Sequence, residues 1–175
     1  MPTNPIEQDY IRNVASRQAI SDLFARYAHG VDRCDLAVLQ SVWWPDAEAD
    51  FGQGYQNAHG WAAAVIDFLQ TMSRTQHMIT NLLVTFDSST EAHSQAYVHA
   101  YHEIANSSGA LQNVVMGGRY LDNLECRNGE WRLLRRRFVL DWNSNVPSTA
   151  EWSAGIYAGL TRHGGRAPVD PFYQA

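Results

Sequence analysis

Asn128 and Gly129 constrain this chain more than any other pair of neighbours. An Asn-Gly dipeptide readily takes the two left-handed backbone conformations that a two-residue hairpin turn requires. The runs on either side, residues 111–127 and 130–142, are long and rich in strand formers. They therefore read as one long antiparallel hairpin. The run before it, residues 92–104, ends at Asn106-Ser107-Ser108-Gly109, which is turn chemistry. Upstream again, Ile79 and residues 82–86 read as a buried strand. The second half of the chain is thus a meander of antiparallel strands.

The first half has a different period. Tyr10, Ile11, Val14, Ile20, Leu23, Phe24, Tyr27 and Val31 recur at helical spacing, which predicts a helix over about 7–31 ended by Gly30. Asp35 is placed to cap a second helix, with Leu36, Leu39, Val42 and Trp43 on its inner face and Pro45-Asp46 as its stop. Residues 47–57 read as a short strand and a turn carrying Gly52 and Gly54. A third helix is predicted over about 59–73, with Trp61, Val65, Phe68, Leu69 and Met72 as its apolar stripe. Helices first and a meander afterwards predict an α+β fold, a curved sheet wrapped around about three N-terminal helices. Residues 143–175 are rich in Pro, Gly and Ser, with one short helix predicted over about 149–160. The expected division is a domain over 1–142 and a C-terminal extension over 143–175, packed on the barrel or on a neighbouring subunit.

The composition narrows the function. At 175 residues, 45% of them apolar, the chain is expected to form one domain with a substantial core. Six Trp, eight Tyr and six Phe can line a pocket as well as fill it. A net charge of −5 argues against nucleic acid, which needs a basic field. Cys34 and Cys126 fit neither a zinc spacing nor a disulfide framework and read as free thiols in a reducing compartment. The start, Met-Pro-Thr-Asn-Pro, has no signal-peptide pattern, and no apolar run reaches membrane-spanning length. A cytoplasmic protein with no membrane partner is expected.

Two residues carry the chemistry. Asp32 ends an amphipathic helix, where the helix dipole disfavours a carboxylate, so an inward-facing Asp32 needs a partner. His77 opens the apolar strand. The two can meet in one cavity, where the carboxylate fixes the imidazole tautomer and raises its basicity. That pair is a proton-abstracting base without metal or cofactor. His99 and His102 fall on opposite faces of one strand and cannot share a metal from there. His102 shares its face with Val98 and Ala100 and is the one expected to enter a cavity. Tyr27, on the same helix as Asp32, is either a core aromatic or a hydrogen-bond donor to a leaving group. Arg136 is either structural or a cavity cation.

Several segments resemble the SnoaL-like branch of the nuclear-transport-factor-2-like superfamily: Ala15-Ser16-Arg17, Ala19-Ile20 and Asp22-Leu23; Gly30-Val31-Asp32; Trp43-Trp44 and Asp46-Ala47-Glu48; His77 with Thr80-Asn81; and Gly117-Gly118, Tyr120 and Asp122, with Gly129 and Trp131 behind. The resemblance covers about residues 10–142 and implies a cone-shaped half-barrel. It implies His77 as general base and Asp32 as its orienting partner. Tyr27 stands where the branch's dehydrochlorinases carry lysine and a dehydratase carries tyrosine, which favours dehydration. His102 is similar in spacing to a second histidine of another dehydratase. Arg136 lies two residues from the place of a last-strand arginine. The implied activity is a cofactor-independent lyase acting on a small hydrophobic cyclic substrate. The alternatives are a non-catalytic ligand-binding protein and the small β-type subunit of a ring-hydroxylating dioxygenase. The resemblance and the apolar strand faces also imply a homo-oligomer, trimer or dimer.

Overall fold

A computed structural model describes residues 4–174. Its elements are α1 (Pro5–Arg33), α2 (Leu36–Ser41), β1 (Trp43–Asp50), β2 (Gln56–Asn57), α3 (Ala58–Gln70), β3 (Arg74–Phe86), β4 (Glu91–Ala105), β5 (Leu111–Arg127) and β6 (Glu130–Pro147). Two 3₁₀ turns, Gly155–Gly159 and Pro171–Gln174, lie in the C-terminal extension. The sheet order is β2-β1-β6-β5-β4-β3. Neighbours from β6 to β3 pair antiparallel, and β1 joins β6 in parallel. The sheet is mixed and open, packed on three helices, as an α+β cone requires.

The hairpin between β5 and β6 turns on Asn128 (φ 55°) and Gly129 (φ 82°), both in the left-handed region. Asn4 caps α1 and Asp35 caps α2, each by accepting a backbone N–H. The core lies between the helices and the concave sheet face. Leu23, Ile20, Leu39, Val42, Trp43 and Leu133 are fully or almost fully buried there.

Two boundaries differ from the sequence expectation. Gly30 does not end α1. The helix runs on to Arg33 and stops at Cys34, whose φ of 50° breaks it. A Cβ on Gly30 would lie 2.9 Å from the Leu39 backbone, so Gly30 is where α2 closes on α1. Asp32 is therefore in the last turn of α1. Val42 and Trp43 do not extend α2, because Trp43 already pairs with Leu133 on β6. Pro45 falls inside the register shift between Trp43 and Glu48, where no ladder N–H is required. On β3, the shift after Thr80 coincides with Asn81 at φ 52°.

The C-terminal extension packs on the helix ends. Ala167 N–H donates to Arg33 O, Tyr173 Oη donates to Asp35, and Arg33 pairs with Asp170 at 2.7 Å. Among the described residues no helix is long and apolar enough to cross a membrane.

Candidate active site

The concave face of the sheet and the helices enclose a cavity of about 320 Å³. α1 contributes Tyr27 and Val31, and α3 contributes Trp61, Val65, Phe68 and Leu69. The sheet contributes His77, Val98, Ala100, His102, Met116, Tyr120 and Phe138, and Phe51 closes one side after β1. Phe68 is 61% exposed and marks the mouth. The wall is almost entirely apolar and aromatic, with His77, His102 and two phenols as its polar points.

The strand period explains why the two histidines meet. Thr75 pairs with His102 and His77 with Ala100, so both imidazoles point inward one step apart on adjacent strands. Their rings lie 5.4 Å apart, edge to face. Asp32 enters from α1. Its Oδ1 accepts from His77 Nδ1 at 2.8 Å, and its Oδ2 accepts from the His77 backbone N–H at 2.8 Å. One carboxylate thus holds both the ring and the main chain of His77. With Nδ1 protonated toward Asp32, Nε2 is the nitrogen left to act in the cavity.

His102 is buried, and one of its nitrogens hydrogen-bonds the Val114 backbone. Burial, reinforced by the neighbouring His77, pulls its pKa down to about 4. It is therefore a neutral imidazole at ordinary pH. His99 lies on the opposite face, against Trp142. Among the described residues no three His, Cys, Asp or Glu side chains gather where they can hold a metal ion. Cys34 and Cys126 are unbridged.

Tyr27 is fully buried against Trp61 and Tyr120. Burial raises its phenol pKa, opposed by the nearby Arg136 charge, and raises that of Tyr120 more strongly. Both stay protonated donors at neutral pH.

Arg136 does not reach the cavity wall. Its guanidinium sits behind the two tyrosines, 4.2 Å from the Tyr27 ring centre and 3.9 Å from that of Tyr120. Nε and Nη2 donate to the two oxygens of Asp122 at 2.7 and 2.9 Å, and both side chains are fully buried. Burial works against the Arg136 charge, but Asp122 more than restores it. The alternation of β5 and β6 puts Tyr120, Asp122 and Arg136 on the inward face. Tyr120 and Asp122 were visible in the Gly117-Gly118-x-Tyr120-x-Asp122 pattern, but the pattern alone assigns them no role. Gly118 admits the Phe138 ring, which a Cβ there would meet at 2.6 Å. Arg166, in the extension, also reaches the site, and no periodicity marked it.

Residues 12–137 match the SnoaL-like domain, well over half of the chain. The chain belongs to the SnoaL-like family. A curated family relative, hexachlorocyclohexane dehydrochlorinase 1 of Sphingobium indicum, is 31% identical over 69% of this chain and 78% of its own length. The γ-hexachlorocyclohexane dehydrochlorinase of the same species is 29% identical over 70% of this chain and 79% of its own. Among solved structures, a type 2 hexachlorocyclohexane dehydrochlorinase shares the SnoaL-like fold with a TM-score of 0.73 at 24% identity, covering 83% of this chain and 99% of that one. A scytalone dehydratase-like protein of Novosphingobium aromaticivorans superposes with a TM-score of 0.70 at 19% identity, over 81% of this chain and 94% of its own. The curated relatives are lyases, and they support a lyase-type activity without a cofactor for this SnoaL-like chain.

Proposed function

We propose that the chain is a dehydratase-like lyase in which His77, oriented by Asp32, removes a proton from a small hydrophobic cyclic substrate. The observation that carries this reading is the two-oxygen grip of Asp32 on His77 at the wall of an apolar cavity. Nε2 takes a proton from carbon next to an activating group. The electron pair left behind forms the double bond as the carbon–oxygen bond breaks, and the hydroxyl leaves as water with a proton from Tyr27. Arg136 acts through Tyr27: its charge, 4.2 Å from the ring centre, steadies negative charge on the phenol. His102, neutral, offers a hydrogen bond without adding charge beside the base. An aromatic cavity of about 320 Å³ suits one or two fused rings better than a polar chain.

Aromatic walls exclude water, so a base here meets little competition for its proton. General-base catalysis contributes on the order of 10²–10⁴-fold. His77→Ala is expected to lose at least that factor in kcat on a verified substrate, with the fold retained by circular dichroism. Full activity in that variant would reject the reading. Recovery of an unchanged ligand with no turnover would favour a binding protein instead.

The same reading includes a homo-oligomer, trimer or dimer, assembled through the outer sheet face. Met78 and Leu83 on β3, Tyr97 on β4 and Trp142 on β6 are each at least 45% exposed there.

A further inference from the structure

We infer that Arg166 is a positioning residue of the site, which brings the C-terminal extension into the machinery that holds Asp32. The inference rests on the role proposed for His77 and Asp32, and goes beyond it to a segment outside the matched SnoaL-like domain.

The last carbonyls of a helix lack partners within it. At the end of α1 the Cys34 N–H serves Gly30 and Val31, and the Asp35 N–H also serves Gly30. The next two carbonyls are served by the extension. Arg166 Nη1 donates to Asp32 O at 2.6 Å, and Ala167 N–H donates to Arg33 O at 2.7 Å. The same guanidinium reaches the end of α3, where Nη2 donates to Leu69 O at 3.2 Å and Met72 O at 3.4 Å. One planar fork therefore ties together the ends of the two helices that wall the cavity.

The position has two consequences. A cation at the end of α1 offsets the unfavourable placing of the Asp32 carboxylate against the helix dipole. It also fixes the Asp32 main chain while His77 holds its carboxylate, so the carboxylate has little freedom to swing off the imidazole. Lysine is a poor substitute, because a single ammonium cannot span both helix ends as a fork does. The extension itself is pinned independently, by Arg33–Asp170 and by Tyr173 on Asp35 and His29. Removing Arg166 thus leaves the tail attached and isolates its effect on Asp32.

The test needs no substrate. In protein with ¹⁵N-labelled histidine, the Nδ1 proton of His77 facing a carboxylate is expected as a downfield resonance, assigned by its loss in His77→Gln and Asp32→Asn. Arg166→Gln is expected to speed its exchange with solvent at least about tenfold, Arg166→Lys by less, and Tyr173→Phe not at all. On a verified substrate, Arg166→Gln is expected to lower kcat about 10–100-fold with KM within about twofold. Exchange at the wild-type rate in Arg166→Gln, or equal acceleration in Tyr173→Phe, overturns the inference. If Arg166→Gln does not fold, wild-type exchange in Arg166→Lys overturns it in the same way. Full turnover by His77→Ala would instead overturn the proposed reaction and leave the exchange result standing.

Discussion

His102 carries a pH signature that separates it from His77. Its folded pKa of about 4 lies below the ordinary 6.5, so between those values the unfolded chain binds the proton more readily than the folded one. Stability therefore rises with pH across that window and is lost as pH falls through it. The full difference is worth up to about 3 kcal/mol by linkage. Urea unfolding of the wild type should weaken from pH 6.5 toward pH 4, and the slope should flatten in His102→Gln. An unchanged slope in that variant would mean that another group carries the effect. The same low pKa makes His102 a poor choice as a cationic acid, which is why the proposed reaction draws its proton from Tyr27.

At the scale of elements, the α1–α2 contact decides where Asp32 stands. Gly30→Ala adds helix propensity worth about 1 kcal/mol. It also drives a methyl group to 2.9 Å from the Leu39 backbone, which cannot move like a side-chain tip. Overpacking costs about 1–3 kcal/mol, so the net effect expected is destabilisation, read as a lower urea midpoint. A neutral or stabilised variant would mean that α2 gives way freely. The β5–β6 pair works by a different logic. Asp122 and Arg136 are wholly buried, so removal of one partner would strand the other's charge. The pair fixes the backs of Tyr27 and Tyr120 and so sets the depth of the cavity.

Across the whole molecule, the parts legible in the sequence were those written in short-range patterns. The Asn128-Gly129 turn, the Asp35 cap and the alternation of Val98, Ala100 and His102 each have a local signal, and each stands where it was expected. Asp32 and His77 were legible as candidates because an inward carboxylate at a helix end needs a partner. Trp43 was read as helical because parallel pairing to β6 is a long-range event that outweighs local period. Gly30 was read as a stop because close helix packing and helix termination favour the same residue. The sequence leaves Arg136 open between a structural and a cavity role; it shares a face with Asp122, and an ion pair holds it behind the cavity wall. Arg166 had no signal, since irregular segments carry no period and its partners are backbone atoms. Assembly is a whole-molecule property too. Light scattering of the wild type should report a dimer or trimer, and Leu83→Glu with Tyr97→Glu should lower its mass; a monomer at micromolar concentration would contradict assembly through the outer face.

The most direct measurement of the central claim is deuterium incorporation from D₂O into hydroxylated or halogenated cyclic compounds, compared between wild type, Asp32→Asn and His77→Ala. Base catalysis from the Asp32–His77 pair predicts exchange or elimination by the wild type, a large loss in Asp32→Asn, and none above background in His77→Ala. Wild-type exchange in His77→Ala would contradict it.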